Sequence, residues 1–206
     1  YKALEYQVDG IILTSAELSS HLVEECLNYD TPVVQYNRYS IYQDVDSVCL
    51  DNFKAGVEVG NHLVETGHTR IGFIGIAESS TSIDRRKGLE QSLERVKLSL
   101  YCEHNGVLTH ESGCAAADTF FRNSERSAWP DAVFCINDDV AIGFIDQARS
   151  VYNVRIPEDV SVVGFDNASI SRWPQYNLTT VSQPIQTMVV ETIGILLDLI
   201  KYEKSG

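Results

Sequence analysis

The stretch VFCINDDVAIGFIDQARSVYNVRIPEDVSVVGFDN, from Val133 to Asn167, decides the fold class. It reads as an apolar strand with a polar tip, a helix with a stop signal, and a second apolar strand with a second polar tip. The two tips are Asn137-Asp138 and Asp166-Asn167. Strands that alternate with helices predict a parallel sheet, and ligands bind outside the carboxyl ends of such strands. We therefore expect a small-molecule site lined by carboxylate and amide groups.

The same alternation of strand and helix extends over the whole chain. Most of the predicted strands are apolar on both faces, which is typical of parallel sheets covered by helices on both sides. The predicted strands are residues 10–13, 32–36, 47–50, 70–76, 99–102, 132–136, 160–165 and 178–181. The predicted helices are residues 19–29, 51–66, 83–96, 111–123, 138–151 and 184–202. The pattern therefore predicts an α/β protein in which each parallel sheet is flanked by helices.

The ends of several helices carry recognisable signals. Asp51-Asn52 predicts a helix start, because short polar side chains accept hydrogen bonds from free amides. Gly67 and Asn153 predict helix stops in the left-handed conformation. A small polar loop is expected over 79–82. We expect the apolar residues of the last helix to pack in the core rather than to bind a partner; these are Met188, Val189, Ile193, Leu196, Leu197 and Ile200.

Composition limits the classes of function that this segment can have. The chain has 206 residues, 44% of them hydrophobic, which suits one globular unit or two small lobes. It has 29 acidic and 16 basic residues and a net charge of −13, so its surface is repelled by phosphate backbones. We therefore expect no DNA-binding surface within this segment, although a segment outside it could carry one.

Cysteine and histidine usage predicts neither a disulfide framework nor a metal site. The five cysteines are scattered and odd in number, which favours a reducing compartment and hence the cytoplasm. The five histidines show no metal-ligand spacing, and we expect no cofactor. No apolar run is long enough to span a bilayer. The first residues resemble the tail of a helix running into a strand, so we expect a fragment whose beginning is absent.

Three positions could carry binding chemistry. Arg85 follows the small polar loop, where a guanidinium can clamp two hydroxyls or a carboxylate, or can form a structural ion pair. Asp166 can accept hydrogen bonds from two hydroxyls, or it can cap a turn. At Asn137-Asp138 one residue can face a ligand while the other caps the helix. Spacing alone leaves these alternatives open.

Enzyme signatures are absent from the chain. It contains no G-x-S-x-G nucleophile elbow, no phosphate-binding GxxxxGK[ST] loop, no GxGxxG and no HExxH. No nucleophile or metal constellation is evident at the level of sequence. We therefore expect a protein that is not an enzyme.

Eight segments together resemble the LacI/GalR family of bacterial transcriptional repressors. In chain order they are VDGIIL, TPVVQYNR, SVCLDN, HLVETGHTRIGFIG, RRKG, CINDDVAIG, VRIPEDVSVVGFDN and LTTVSQP. The resemblance covers nearly the whole chain, and the GH-x-RIGFIG and IPEDVSVVGFDN blocks are specific. It implies a two-lobed fold like that of periplasmic sugar-binding proteins. One lobe would comprise residues 1–50 plus 181–206, the other residues 51–180, with an effector cleft between them.

The resemblance also implies which residues bind the effector. The arginine of the R-x-x-G motif falls on Arg85, the aspartate of GFD on Asp166 and the asparagine of C-x-N-D on Asn137. Ser79 and Thr81 lie in the small polar loop after the RIGFIG strand, and Leu108 takes a place in the strand before the ESG motif that often holds an aromatic residue. In the segment that resembles PVV-x-x-DR, Asn37 replaces the aspartate.

By the same resemblance, the chain senses an effector for a repressor. A sugar, nucleobase or similar effector in the cleft would modulate operator binding by a helix-turn-helix headpiece, and the intact protein would be a homodimer. The headpiece, the first strand-helix pair and a final strand are absent here, and MVVETIG departs from the usual last helix. The alternative is a periplasmic solute-binding protein of a sugar transporter, which would have the same fold.

Overall fold

The computed structural model describes residues 8–14, 26, 28, 31–39 and 45–203. The chain divides into two compact units. The first comprises Tyr1–Leu50, Ser79–Thr81 and Pro184–Gly206, and the second comprises Asp51–Glu78 and Ser82–Gln183. Of the helix predicted over 19–29, only Cys26 and Asn28 are among the described residues, and both are helical.

Eight strands and five α-helices are found in the described part of the chain, together with short 3₁₀ turns at Arg126–Ala128 and Ser169–Arg172. In chain order they are β1 (Ile11–Leu13), β2 (Val33–Tyr36), β3 (Ser47–Val48), α1 (Asn52–Glu65), β4 (Ile71–Gly75), α2 (Ser80–Arg95), β5 (Cys102–Asn105), α3 (His110–Phe121), β6 (Ala132–Cys135), α4 (Asp138–Tyr152), β7 (Ser161–Phe165), β8 (Thr179–Val181) and α5 (Ile185–Glu203).

Every strand pairing described is parallel, which confirms the predicted fold class. The first unit contains a sheet of order β1-β2-β3. The second contains a sheet of order β5-β4-β6-β7-β8. Because β4, β6 and β7 are neighbours and parallel, their carboxyl ends lie side by side at one edge of the second sheet. The two polar tips at the ends of β6 and β7 are therefore adjacent.

The core of the second unit is aromatic and closely packed. Phe73 and Phe134 are fully buried, and their rings meet edge to face with centroids 5.6 Å apart. Phe144, from α4, is fully buried and contacts Phe120 and Phe121 of α3. Burying one such side chain stabilises the fold by roughly 1.5–3 kcal/mol. This core holds the strands rigidly beneath the polar tips.

The predicted helix ends are confirmed at three positions. The Asp51 side chain accepts a hydrogen bond from the Lys54 amide at 2.9 Å, as expected of an N-cap. Gly67 has φ +91°, and Asn153 has φ +53° and ψ +37° at the end of α4. Both have the left-handed backbone expected at a helix stop.

Two local predictions are wrong. The small polar loop expected over 79–82 is mostly the first turn of α2, which begins at Ser80 rather than near Ile83. Its hydroxyls are bonded locally, since Ser79 Oγ and Thr81 Oγ1 lie 2.9 Å apart and Ser82 Oγ accepts from the Ile76 amide. Local bonding of this kind lets short polar residues occupy a buried helical turn.

Strand β5 lies three residues later than the predicted strand over 99–102. Lys97 adopts φ +62°, so the turn after α2 uses more chain than expected. The strand is polar and alternately exposed at the edge of the sheet, and no apolar run announces it in the sequence.

The expectation that α5 is apolar because it packs in the core is only partly correct. Met188 is buried and Leu196 and Ile200 are half-buried, but Val189, Ile193 and Leu197 are 40%, 45% and 50% exposed. The short sheet of the first unit contacts one side of the helix. Among the residues described, no helix is both long enough and apolar enough to cross a membrane.

Candidate functional site

Arg85 is a buried cation at the carboxyl edge of the second sheet. Its side chain is 3% exposed. Nε donates to Asn52 Oδ1 at 2.9 Å and Nη1 donates to the Ile136 carbonyl at 2.6 Å. The guanidinium carbon lies 3.3 Å from the centroid of the Phe165 ring, which is close cation–π contact. These three partners fix the charge at the ends of β6 and β7.

The charge of Arg85 lies within electrostatic range of the Asp166 carboxylate. Burial lowers the pKa of Arg85 to about 10, and the nearby Asp166 acts in the opposite direction. Burial likewise raises the pKa of Asp166, against the effects of a Gln183 hydrogen bond and of Arg85. At neutral pH the arginine remains a cation, and both groups are only partly compensated. The pair can therefore offer both donors and acceptors to a polar ligand.

Asp166 is held in a strained backbone conformation. Its φ is +108°, and Asn167 beside it has φ +54°. Non-glycine residues rarely adopt such angles, and they do so mainly at functional sites where the surroundings enforce the conformation. Oδ1 of Asp166 accepts from Gln183 Nε2 at 2.6 Å. The loop after β7 therefore holds the Asp166 carboxylate in a fixed position, and the backbone there is strained.

Asp138 holds this loop in place through hydrogen bonds. It is 1% exposed, and its carboxylate accepts from the Ala168 amide at 2.7 Å and from Thr180 Oγ1 at 2.6 Å. Gly164 makes room for it, because a Cβ there would lie 2.3 Å from Asp138 Oδ1. Burial raises the pKa of Asp138, while both hydrogen bonds act to lower it. The buried carboxylate thus joins α4, β8 and the strained loop.

Asn137 is the N-cap of α4. Its Oδ1 accepts from the Val140 amide at 2.9 Å, and its backbone is extended. Of the two roles left open for this tip, helix capping therefore falls to Asn137. Its carbonyl neighbour Ile136 bonds Arg85, so the cap lies next to the cation.

Close approach of α1 and α2 places the arginine. A Cβ at Gly56 would lie 2.1 Å from the Arg85 carbonyl oxygen, so any side chain there would push the two helices apart. Asn52 lies one turn earlier on α1 and reaches the guanidinium. The glycine is required because the backbones nearly touch at this point.

Three further residues were predicted for the site: Ser79, Thr81 and Leu108. Ser79 and Thr81 are 8% and 7% exposed and bond each other, and they belong to the first unit. Leu108 does not lie in the strand before the ESG motif, because β5 ends at Asn105. It lies in the turn before α3, where it is half-buried and packs against the core of the second unit.

The end of β2, in the first unit, carries two buried acceptors. Gln35 is 2% exposed, and Asn37 has φ +61°. Gln35 Oε1 and Asn37 Oδ1 have no hydrogen-bond partner in the part of the chain that the structure describes. Buried acceptors without partners are unusual and mark places where a donor is expected. Asn37 is also the position at which the sequence replaces the aspartate of the PVV-x-x-DR segment.

Three residues of the site were not predicted as site residues: Asn52, Phe165 and Gln183. Each lies at or beyond the end of an element that the sequence does reveal, but the signals point to other roles. The pair Asp51-Asn52 predicts only a helix cap. In the structure Asp51 forms the cap, and Asn52 accepts a hydrogen bond from Arg85.

A separate polar cluster joins α3 and α4. His110 Nε2 lies 3.0 Å from Asp146 Oδ2, and His110 Nδ1 lies 3.7 Å from Cys114 Sγ. The arrangement of Cys114, His110 and Asp146 resembles a cysteine nucleophile with its histidine base and an orienting carboxylate. Burial and nearby carboxylates, however, raise the pKa of Cys114, so the reactive thiolate is disfavoured. No group of three metal-ligating side chains occurs among the described residues.

Comparison with known sequences identifies the family. The model of the periplasmic binding protein-like domain matches residues 61–205. The chain is 31% identical over 204 residues to the HTH-type transcriptional repressor CytR of Escherichia coli K12. It is 32% identical over 199 residues to the HTH-type transcriptional repressor PurR of Pectobacterium carotovorum. These matches cover 97% and 94% of this chain but 58% and 57% of the two relatives, so the chain spans little more than half their length.

A solved structure agrees with this assignment. The sugar-binding transcriptional regulator of the LacI family from Escherichia coli, complexed with phosphate, superposes with a TM-score of 0.79 at 28% identity. The match covers 97% of this chain and 72% of that one. The parallel sheets, the family model and the relatives lead to one assignment: this chain belongs to the periplasmic binding protein-like domain family, in the effector-binding form found in LacI/GalR regulators.

Proposed function

We propose that this chain is the effector-sensing part of a LacI-type bacterial repressor and that it binds a sugar or similar polyhydroxy ligand. The observation that carries the proposal is the placing of Arg85 and Asp166. A buried cation and a strained, half-buried carboxylate lie within electrostatic range of each other at the carboxyl edge of a parallel sheet. Ligand hydroxyls can accept from the guanidinium and donate to the carboxylate, and charge-assisted hydrogen bonds of this kind are strong.

Four further residues complete the proposed ligand site. Asn137 would supply its side-chain amide beside the cation, Ser79 and Thr81 would adjust polar contacts, and Leu108 would contribute an apolar surface. The two lobes of the proposed cleft are residues 1–50 plus 181–206 and residues 51–180. The unpartnered acceptors of Gln35 and Asn37 favour a ligand that also donates hydrogen bonds to the first lobe.

The ligand would act by shifting a conformational equilibrium. A ligand that binds one arrangement of the lobes more tightly than another shifts the population towards it. In a homodimer, that shift would change how two helix-turn-helix headpieces meet operator DNA. The acidic net charge of −13 supports DNA contact through a headpiece rather than through this segment.

The relatives favour a cytoplasmic regulator over the alternatives. CytR and PurR are named as transcriptional repressors, and neither is named as an enzyme or as a transporter component. The solved relative is named as a sugar-binding regulator, which supports a sugar-like effector here. Among the described residues, which include all five cysteines, no disulfide is formed, and this is compatible with a reducing compartment.

The first experiment screens pentoses, hexoses and nucleosides by thermal shift and measures any hit by calorimetry. A ligand that binds only the native state raises the melting temperature. Arg85→Gln should weaken the hit by at least about tenfold, the loss of one strong hydrogen bond. Arg86→Gln is the matched control, because Arg86 is partly exposed and bonds Glu90 and Glu103 instead.

Two outcomes would contradict the proposal. If a polyhydroxy ligand binds the wild-type chain and a folded Arg85→Gln variant with equal affinity, Arg85 has no part in the site. If Arg86→Gln weakens the ligand as much as Arg85→Gln does, the effect is one of general charge, and the assigned geometry is wrong.

A further inference from the structure

We propose that the second unit has another ligand site, at the opposite edge of its sheet, and that this site takes a small carboxylate with an apolar body. The site is a cavity of about 480 Å³ near the amino ends of β4, β7 and β8. Clefts that hold small ligands have volumes of roughly 300–1,000 Å³. Arg85 and Asp166 belong to the carboxyl edge, so this cavity is independent of the proposed effector site.

Buried apolar residues form part of the cavity lining. Leu63 of α1 and Ile145 of α4 are each 1% exposed, and Val162 and Val163 of β7 are 7% and 3% exposed. They come from two helices and the sheet between them, all of which belong to the core. These residues can contact a hydrocarbon body, whose removal from water is favourable.

Arg149 brings a positive charge to the cavity lining. Arg149 Nη1 donates to the Gln175 carbonyl at 2.6 Å and Nη2 donates to the Ile156 carbonyl at 3.0 Å. These bonds fix the guanidinium, yet Arg149 forms no ion pair with a carboxylate among the residues that the structure describes. Two histidines, His62 and His68, also line the cavity. The charge of Arg149 is therefore positioned but not neutralised.

None of the described residues that line the cavity is an aspartate or a glutamate, although the chain carries 29 of them. Two lining residues do contact a carboxylate: His68 Nδ1 lies 3.7 Å from Asp131 Oδ1, and the Tyr176 hydroxyl donates to Asp146 Oδ2 at 3.2 Å. Asp131 also accepts from the Thr69 and Arg70 amides, so it is occupied by the loop before β4. An acidic protein that leaves one cavity free of acidic side chains offers that cavity to an anion. A guanidinium binds a carboxylate in a matching, two-pronged geometry.

The test uses the full 206-residue chain and nuclear magnetic resonance, with 4-phenylbutyrate as the probe. We expect saturable shifts of the Leu63, Val162 and Leu178 amides, which line the cavity. The neutral analogue 4-phenylbutan-1-ol has the same body without the charge, and we expect it to bind at least about tenfold more weakly. Equal binding of the acid and the alcohol would show that the charge of Arg149 plays no part and would overturn the proposal.

Two variants locate the binding. Arg149→Gln should weaken the acid at least about tenfold, whereas Arg149→Lys should retain most of the affinity. Arg95→Gln is the control, since Arg95 is exposed on α2 and bonds Gln91. Thr66 is an exposed residue of the cavity lining, and Thr66→Trp would fill part of the cavity. This variant therefore tests the site even if Arg149→Gln unfolds. Undiminished binding in Thr66→Trp refutes the site, as does the absence of shifts up to about 20 mM acid.

Discussion

The two polar tips of the second unit have nearly mirrored sequences and opposite roles. Asn137-Asp138 lies at the end of β6, and Asp166-Asn167 lies at the end of the neighbouring strand β7. In the first tip the backbone is relaxed, Asn137 caps a helix and Asp138 is buried with two donors. In the second tip both residues have positive φ, and the Asp166 carboxylate is only partly buried.

The tips differ because the chain continues differently after each strand. A helix begins directly after β6, so its first turn occupies the side-chain oxygen of Asn137. After β7 the chain makes a loop and a short 3₁₀ turn, and no α-helix consumes the Asp166 carboxylate. The first tip therefore acts as the support of the second. The second tip, whose Asp166 lies within electrostatic range of Arg85, is the better candidate for ligand contact.

The largest expected effect on stability comes from removing the Asp138 carboxylate, which supports the second tip. Asp138→Ala leaves the Ala168 amide and the Thr180 hydroxyl without their acceptor, and each unsatisfied group costs roughly 1–3 kcal/mol. We expect the free energy of unfolding to fall by about 3 kcal/mol in urea titrations. Asp139→Ala is the matched control, because Asp139 is exposed in the same helical turn. Equal losses in the two variants would refute the supporting role.

A smaller loss is expected at the helix cap. Asn137→Ala removes the acceptor for the Val140 amide and should lower the unfolding free energy by about 1 kcal/mol. Asn137→Ser should restore most of this, since serine caps helices well. If the serine variant is as unstable as the alanine variant, Asn137 acts through something other than its cap.

The smallest effect on stability is expected at the second tip. Burial raises the pKa of Asp166 in the folded state, so its ionisation works against folding. Asp166 therefore stabilises the folded state at pH values below its pKa in the unfolded chain. This stabilisation is lost as the pH rises through its pKa in the folded state. Asp166→Asn should therefore be slightly more stable than wild type at pH 7, by on the order of 0.5 kcal/mol. The gain should vanish in acid, where Asp166 is protonated, and a gain that persists there would contradict this explanation.

Local patterns in the sequence were sufficient for the frame of the site. Apolar runs predicted most of the strands, and Asp51, Gly67 and Asn153 predicted helix ends that the structure confirms. The order of strands and helices placed Asn137 and Asp166 at carboxyl ends. These signals are local, because a cap or a left-handed stop depends on residues within a few positions.

The contacts that build the site depend on distant residues, and no local pattern reveals them. Asp138 meets Ala168 and Thr180, which are 30 and 42 positions away. Arg85 meets Asn52 across 33 positions and Ile136 across 51. The spacing of Arg85 in the sequence left open whether it binds a ligand or a structural partner. The fold gives it structural partners and, in addition, a position within range of Asp166.

The most direct test of the central claim is the carboxyl carbon resonance of Asp166, titrated with pH in the presence and absence of the polyhydroxy hit. If Asp166 accepts ligand hydroxyls, its pKa falls on saturation, because hydrogen bonds to the ionised form favour that form. The resonance of Asp159, which is bonded to Arg155 on the surface, should not change. If the ligand saturates the chain and the pKa of Asp166 stays at the value of the ligand-free protein, the proposed site is contradicted.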